Sequence, residues 1–366
     1  MNRMILANLV HRPMRSLISI VAIAVEVILI LLIVGLSLGI LNDSKERRRN
    51  LGDAMVSPPG SSFISGISGA PVSARIADVI AALPHVHAVT PVITQLNASG
   101  AIEIIYGIEP STFQAVAGPF QYLDGGPFNG PDSILVDDYF AAGNHVHAGS
   151  KIELFNHEFT VSGVVENGKG ARRFVPLATL QELMGATGKA SIFYVRADDP
   201  ANADAVVKEI KNVPGLQKFS TLSMKEWLTL MTPGNLPGFS TFINVVIGVA
   251  VTIGFIVIFQ AMYAAVMERT REIGILKSLG AGKGYIVNVI LRETLLLAVF
   301  GILLGIALSY VARGVIVNRV PTLRILLTGG WIWRATLIAI VGAIAGAIYP
   351  AFKAARKDPI DALAYE

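Results

Sequence analysis

Hydrophobic and polar positions divide the chain into four long apolar runs and one extended stretch of mixed polarity. The run Ser16–Asn42 holds a single charge, Glu26, and the stretch Trp227–Met267 holds none. A bilayer core about 30 Å thick takes roughly 20 apolar residues in a helix. These runs therefore predict transmembrane helices over residues 16–42 and 239–267. A third run predicts a helix over 286–312, with Arg292 and Glu293 near its start, and the charge-free run 335–352 predicts a fourth. The first run is too long for the apolar segment of a secretory leader, so it is expected to stay as an anchor.

Between the first two runs the pattern changes. Segments 88–94, 102–106, 133–136, 151–155, 158–165 and 191–195 are short, β-branched and bounded by turn residues, which predicts strands. Segments 73–83, 177–184 and 202–211 carry apolar residues at helical spacing. Residues 43–235 are thus expected to form one α+β domain inserted between helices 1 and 2. The Pro, Gly and Ser residues from Ser57 to Gly69 and the segment Thr232–Gly238 read as passages into and out of it.

Composition fits this division: 53% of residues are hydrophobic and 15% charged. The net charge of +4 comes largely from Lys and Arg beside the apolar runs, where lipid headgroups and membrane topology account for it without nucleic acid. The chain has no cysteine, which excludes thiolate metal sites, thiol catalysis and disulfides. Basic residues do not set the orientation. Arg3, Arg12, Arg15, Arg269, Arg271, Lys277, Lys283, Lys353, Arg356 and Lys357 lie on one side, against Lys45, Arg47, Arg48, Arg49, Arg313, Arg319, Arg324 and Arg334 on the other. Long domains also cross regardless of charge.

The most informative segment follows the second run: Glu268-Arg-Thr-Arg-Glu-Ile-Gly-Ile-Leu-Lys-Ser-Leu-Gly-Ala-Gly-Lys283. Ile273, Leu276 and Leu279 recur at i, i+3 and i+6, while Arg271, Glu272 and Lys277 occupy other faces. Such a helix can dock into a protein groove or lie at an interface with its charges solvated. In Glu268, Arg269, Arg271, Glu272, Ile273, Gly274, Leu276, Leu279 and Gly280 the segment resembles the signature of the MacB/FtsX-like ABC permease family. The closing segment Tyr349–Glu366, with its Pro-Ala, Ala-Ala, Asp-Pro and Ala-Leu pairs, is similar to that family's C-terminus, and Leu9–Leu17 and Val161–Leu183 look like its N-terminal helix and periplasmic core.

The resemblance implies a membrane subunit with four transmembrane helices and an extracytoplasmic, MacB-like α+β domain. Its expected layout is a cytoplasmic N-terminal helix over 1–15, the domain over 43–235 and a cytoplasmic coupling loop over 268–285. A short outer loop over 313–334 and a cytoplasmic tail over 353–366 complete it. The ATPase-coupling interface is expected at Glu268, Arg269, Arg271, Glu272, Ile273, Gly274, Leu276, Lys277, Leu279 and Gly280. Implied partners are a dimeric ABC-type ATPase on a separate chain, which holds ATP and Mg, a second copy of the permease and membrane lipid, with a periplasmic adaptor or hydrolase as a further candidate. The sequence lacks the fused ATPase domain of MacB, so a two-component system of the cytoplasmic membrane is expected. It would export or extract an amphipathic or hydrophobic substrate by mechanotransmission. The alternative is an FtsX-like transducer that moves no cargo and activates an extracytoplasmic partner.

Other residues carry candidate chemistry. Gly163–Gly170 has phosphate-loop spacing, but Gly170 stands where the magnesium-holding Ser or Thr belongs; Gly280–Gly284 has the wrong spacing. No bound cofactor is expected. Glu26, an acid within a span, is a candidate for substrate contact or gating, with a neutral or paired carboxyl facing another helix as the plainer reading. The pairs His85/His87 and His145/His147, with His157, carry imidazoles at strand spacing but sit beside turns, so no metal site is placed there. No nucleophile series or carboxylate pair suggests an enzyme. Small residues four apart at Gly35/Gly39, Gly301/Gly305 and Gly342/Gly346 suit close helix packing.

Overall fold

The computed structural model describes residues 13–61, 69–97, 103–236 and 238–357. Residues 1–12 of the expected N-terminal helix, most of the Ser57–Gly69 passage and the Asp-Pro and Ala-Leu pairs of the tail lie outside the described residues. The chain forms two compact units: Met1–Gly39 with Gly238–Asn318 and Ile325–Glu366, and Ile40–Pro237 with Arg319–Arg324.

Helix α1 runs from Pro13 to Arg48. At 1.5 Å per residue its 36 residues extend about 54 Å, more than a bilayer core requires. It outruns the predicted 16–42 because Asp43–Arg48 favours helix and an Asp43–Arg47 pair at 3.1 Å bridges one turn.

The inserted unit follows as β1 (Ala54–Ser57), β2 (Val72–Ser73), α2 (Ile76–Ala81), β3 (Val86–Asn97), β4 (Glu103–Ile108), α3 (Pro110–Ala117), β5 (Tyr122–Gly125), β6 (Ser133–Asp137), α4 (Asp138–Asn144), β7 (Lys151–Leu154), β8 (His157–Val165), β9 (Arg173–Pro176), α5 (Leu177–Leu183), β10 (Lys189–Ala190), β11 (Ile192–Ala197), α6 (Ala203–Asn212), β12 (Ser220–Ser223) and α7 (Met224–Leu230). Ten strands form one sheet in the order β12-β1-β11-β3-β4-β9-β6-β8-β5, with β7 on β8; β10 and β2 pair separately. The β4–β9 and β6–β8 pairs are parallel and the others antiparallel. Helices α2 and α6 cover one part of the sheet, burying Ile80, Val206 and Ile210 on Phe193 and Val195. Elsewhere Leu180 of α5 joins Ile105, Val136, Phe159 and Val175. The predicted α+β mixture is present. The sequence pattern does not show β1, β2, α3, β5, α4, β9, β10, β12 and α7, which are too short to display a period.

A cluster of charge sits inside this unit. Arg172, just before β9, pairs with Asp137 at 3.1 Å and Asp43 at 3.0 Å, and donates to the Thr322 carbonyl at 3.3 Å. Asp137 also caps α4 by accepting from the Phe140 N–H at 2.7 Å. The Arg172 guanidinium lies over the Tyr139 ring, to whose hydroxyl Arg324 donates. One arginine therefore holds the end of α1, the α4 cap and the 319–324 segment.

The helical unit adds α8 (Phe239–Glu268), α9 (Thr270–Ser278), α10 (Lys283–Arg319) and α11 (Gly329–Arg356) to α1. Of these, α1, α8, α10 and α11 are long and apolar enough to cross a membrane. Ile23, Val27 and Ile30 of α1 meet Ile258 and Met262 of α8 and Leu297 of α10 in the core. Along α11, Ala335, Ala339, Ala343, Ala347 and Ala351 recur every fourth residue and are fully buried, a stripe that admits neighbouring backbones. A Cβ at Gly301 would lie 2.7 Å from Cβ of Ile23, and one at Gly305 2.8 Å from the Ala24 carbonyl. The small-residue spacings in α10 and α11 are thus contact seams, and Gly346 packs on Phe255 and Ile258 of α8.

Candidate functional site

Helix α9 is the charged segment singled out in the sequence, and its two ends explain its length. Arg269 ends α8 and begins α9 outside helical geometry, so the chain turns sharply there. Thr270 fills the turn with its hydroxyl donating to the Met267 carbonyl at 2.9 Å. At the other end the Gly280 N–H donates to the Lys277 carbonyl at 3.0 Å and the Ala281 N–H to the Leu276 carbonyl at 3.0 Å, a Schellman cap. That cap needs the left-handed φ of +98° found at Gly280. Gly280→Ala should cost about 1 kcal/mol locally. Faster amide exchange across Ile275–Ala281 at an unchanged overall melting temperature would register it, and unchanged exchange would refute it.

The faces of α9 have separate tasks. Thr270 and Gly274 are buried, and Ile273 and Leu276 pack half-buried on the helical core. Lys277 reaches across to donate to the carbonyls of Ala355, at 3.1 Å, and Lys357, satisfying acceptors at the end of α11. Arg269 pairs with Glu293 of α10 at 3.1 Å, both side chains largely buried. These contacts tie α9 to α8, α10 and α11. The outward face holds Glu268, Arg271, Glu272, Ile275, Ser278, Leu279 and Gly280. Leu279 is 80% exposed and Ile275 45% exposed, so apolar surface is presented among charges. The predicted stripe is divided: Ile273 and Leu276 turn inward while Leu279 turns out. Sequence reading passed over Ile275, which sits off that stripe, and the pairing of Glu293, whose place inside an apolar run was the available signal.

Glu26 lies in the core of the same unit, 2% exposed. A Cβ at Gly254 of α8 would collide with its carboxylate, and one at Gly342 of α11 would lie 3.7 Å from Oε1. Among the described residues neither carboxyl oxygen has a hydrogen-bond partner.

Several of the remaining candidates have structural roles or partners. Lys169 of the phosphate-loop-like segment donates to the carbonyls of Ala117, at 2.5 Å, and Gly118, and strand β9 rather than a helix comes next. His85 contacts Asp198 at 3.4 Å and Glu209 at 3.7 Å, and His157 contacts Asp132 at 2.8 Å. His145 is the left-handed cap residue of α4.

Comparison with known proteins follows the same division. Residues 16–213 match the MacB-like periplasmic core domain and residues 244–359 the FtsX-like permease C-terminal domain. The chain is 35% identical over 127 residues to the uncharacterized ABC transporter permease YknZ of Bacillus subtilis, covering 35% of this chain and 32% of that protein. It is 31% identical over 230 residues to the macrolide export ATP-binding/permease protein MacB 1 of Yersinia pestis bv. Antiqua, covering 60% and 35%. A MacB of Shewanella sp. is 24% identical over 393 residues, covering 99% and 60%. The matched region thus spans about a third of the first two relatives and 60% of the third. Among solved structures, the periplasmic region of MacB from Actinobacillus actinomycetemcomitans aligns at 16% identity and TM-score 0.36, covering 49% of this chain and 93% of that one. The extracellular domain of YknZ aligns at 14% identity and TM-score 0.36, covering 47% and 98%. Since the core-domain match alone takes in more than half of the residues and the permease match takes in most of α8, α10 and α11, the chain belongs to the MacB/FtsX-like ABC transporter permease family, a multi-pass protein of the cytoplasmic membrane whose α+β domain is extracytoplasmic.

Proposed function

We propose that this permease works with a separate, dimeric ABC-type ATPase to export or extract an amphipathic or hydrophobic substrate, and that α9 is the seat of that ATPase. The observation that carries this reading is the exposed Ile275 and Leu279 on a helix whose opposite face is fixed to α8, α10 and α11. A rigidly held helix moves its supports when a partner pushes it. A loosely held one absorbs the push. ATP and Mg stay on the ATPase, whose closure would shift α9 and, through α1 and α8, the extracytoplasmic domain. The permease acts as a homodimer, one copy for each ATPase, in contact with membrane lipid.

The test is Leu279→Asp in the full chain reconstituted with its cognate ATPase. An exposed apolar anchor at an interface centre contributes about 2 kcal/mol, so affinity for the ATPase should fall roughly 10–30-fold. The melting temperature should not change, because Leu279 makes little intramolecular contact. Leu276 is a poorer probe, since its substitution would also loosen the bundle. Unchanged affinity for Leu279→Asp would refute the seat. Tight coupling without movement of any lipophile would favour the transducer role over export.

A further inference from the structure

Glu26 is the feature that the coupling reading leaves unexplained. It lies 10 residues past Ser16, where the apolar run begins. At 1.5 Å per residue that is about 15 Å into a hydrocarbon core about 30 Å thick, near its middle. A carboxyl there is costly unless it is neutral, paired or wetted, and among the described residues both of its oxygens are unpartnered.

The carboxyl fills a gap between helices. It reaches from α1 to the seam between α8 and α11, where Gly254 and Gly342 leave room that side chains would fill. On the other side of the same seam lies an open crevice of about 610 Å³, a volume in the range of small-molecule sites. Its walls are Ile247, Val251 and Phe255 of α8 and Leu337, Val341 and Gly342 of α11. Gly342 is common to both: it lines the crevice and backs onto Oε1 of Glu26. With no side chain there, only the bare backbone at Gly342 stands between the crevice and the acid. No Lys, Arg or His lines the crevice, so its walls offer the acid no countercharge.

We infer that the α8–α11 crevice is a binding site for lipophilic amines that enter from the bilayer, with Glu26 receiving the ammonium N–H at the Gly342 window. The apolar walls hold the hydrocarbon part, and the desolvated carboxylate selects the amine. Phospholipid headgroup amines are held at the interface, about 15 Å away, so a ligand whose amine travels with its apolar body is favoured over bulk lipid. This inference rests on the export reading for its use but not for its test, which needs no ATPase.

The probes are radiolabelled dodecyldimethylamine and dodecanol, equal in chain length, measured for equilibrium binding to the full-length permease in nanodiscs at pH 7. The amine should bind at least about 10-fold tighter than the alcohol, as expected for a hydrogen bond to a charged group. Glu26→Gln should abolish that preference and leave alcohol binding unchanged, which also certifies the fold. Val341→Trp, which narrows the crevice from its exposed rim, should weaken both probes. Equal affinities in the wild type, retention of the preference in Glu26→Gln, or no binding of either probe would each overturn the proposal. Loss of ATPase coupling in Leu279→Asp with the amine preference intact would leave this site standing, and the reverse result would leave the coupling seat standing.

Discussion

Arg172→Met is expected to destabilise the extracytoplasmic unit by about 3–5 kcal/mol, because it leaves the buried Asp137 carboxylate without its cation, while Asp43 keeps Arg47. The side chains of Asp137 and Asp43 are 1% and 8% exposed, so water cannot take over the role of the guanidinium. The loss falls at three places at once: the cap of α4, the end of α1 and the Thr322 carbonyl. Thermal unfolding of the purified chain would read it, and a melting temperature within a degree or two of wild type would refute it. A pH series gives an independent check. Burial pushes the Asp137 carboxyl up to about 7 from its ordinary 3.8, against the opposite pull of Arg172 and the Phe140 N–H. The folded state thus holds this proton more tightly than the unfolded chain. Its contribution to stability is complete below about pH 4 and is lost as pH rises through about 7. Stability should therefore decline between about pH 4 and about pH 7, and Asp137→Asn should flatten that decline.

Gly305→Leu should be comparably damaging in the helical unit. A Cβ at Gly305 would stand 2.8 Å from both the Ala24 carbonyl and the Val27 Cβ, and backbone cannot move aside as a flexible side chain can. A leucine would therefore force α10 away from α1 and open the contacts around Ile23 and Val27. Overpacking of this kind costs about 1–3 kcal/mol before any loss of neighbouring contacts. The expected result is a lower melting temperature in detergent and a reduced yield of folded protein. Gly314→Leu is the control, since nothing lies within 4 Å of a Cβ there. Equal behaviour of the two variants would show that the seam contributes nothing.

Much of the fold was legible because its signals are local. Four apolar runs had to become helices in lipid, since no other single-segment structure satisfies its own backbone there. The β-branched, turn-bounded runs 88–94 and 158–165 announced strands that the structure extends to Val86–Asn97 and His157–Val165, and 202–211 announced the helix Ala203–Asn212. Strand β9 was not legible: Arg173-Phe-Val-Pro is buried through most of its length, with Arg173 paired to Glu103 at 2.8 Å across the sheet. A buried arginine in a strand reads as surface until its partner is known. The candidate site was half legible. Spacing gave α9, but could not say that Gly280 caps it or that Ile273 and Leu276 face the bundle while Ile275 and Leu279 face out.

What the sequence by itself determined is the set of elements: four membrane helices, an inserted α+β domain, a short charged helix after the second span and glycine seams in the third and fourth. Hydropathy and period act over a few turns of chain, so they survive in the linear order. The tertiary structure alone decided the pairings. Arg172 meets Asp43 across 129 positions and Thr322 across 150, Lys277 closes the end of α11 from 78 positions away, and Glu26 finds Gly254 and Gly342. Such partners are chosen by burial, where a charge or an orphaned carbonyl must be answered by whichever element packs against it, and the packing is a property of the whole chain.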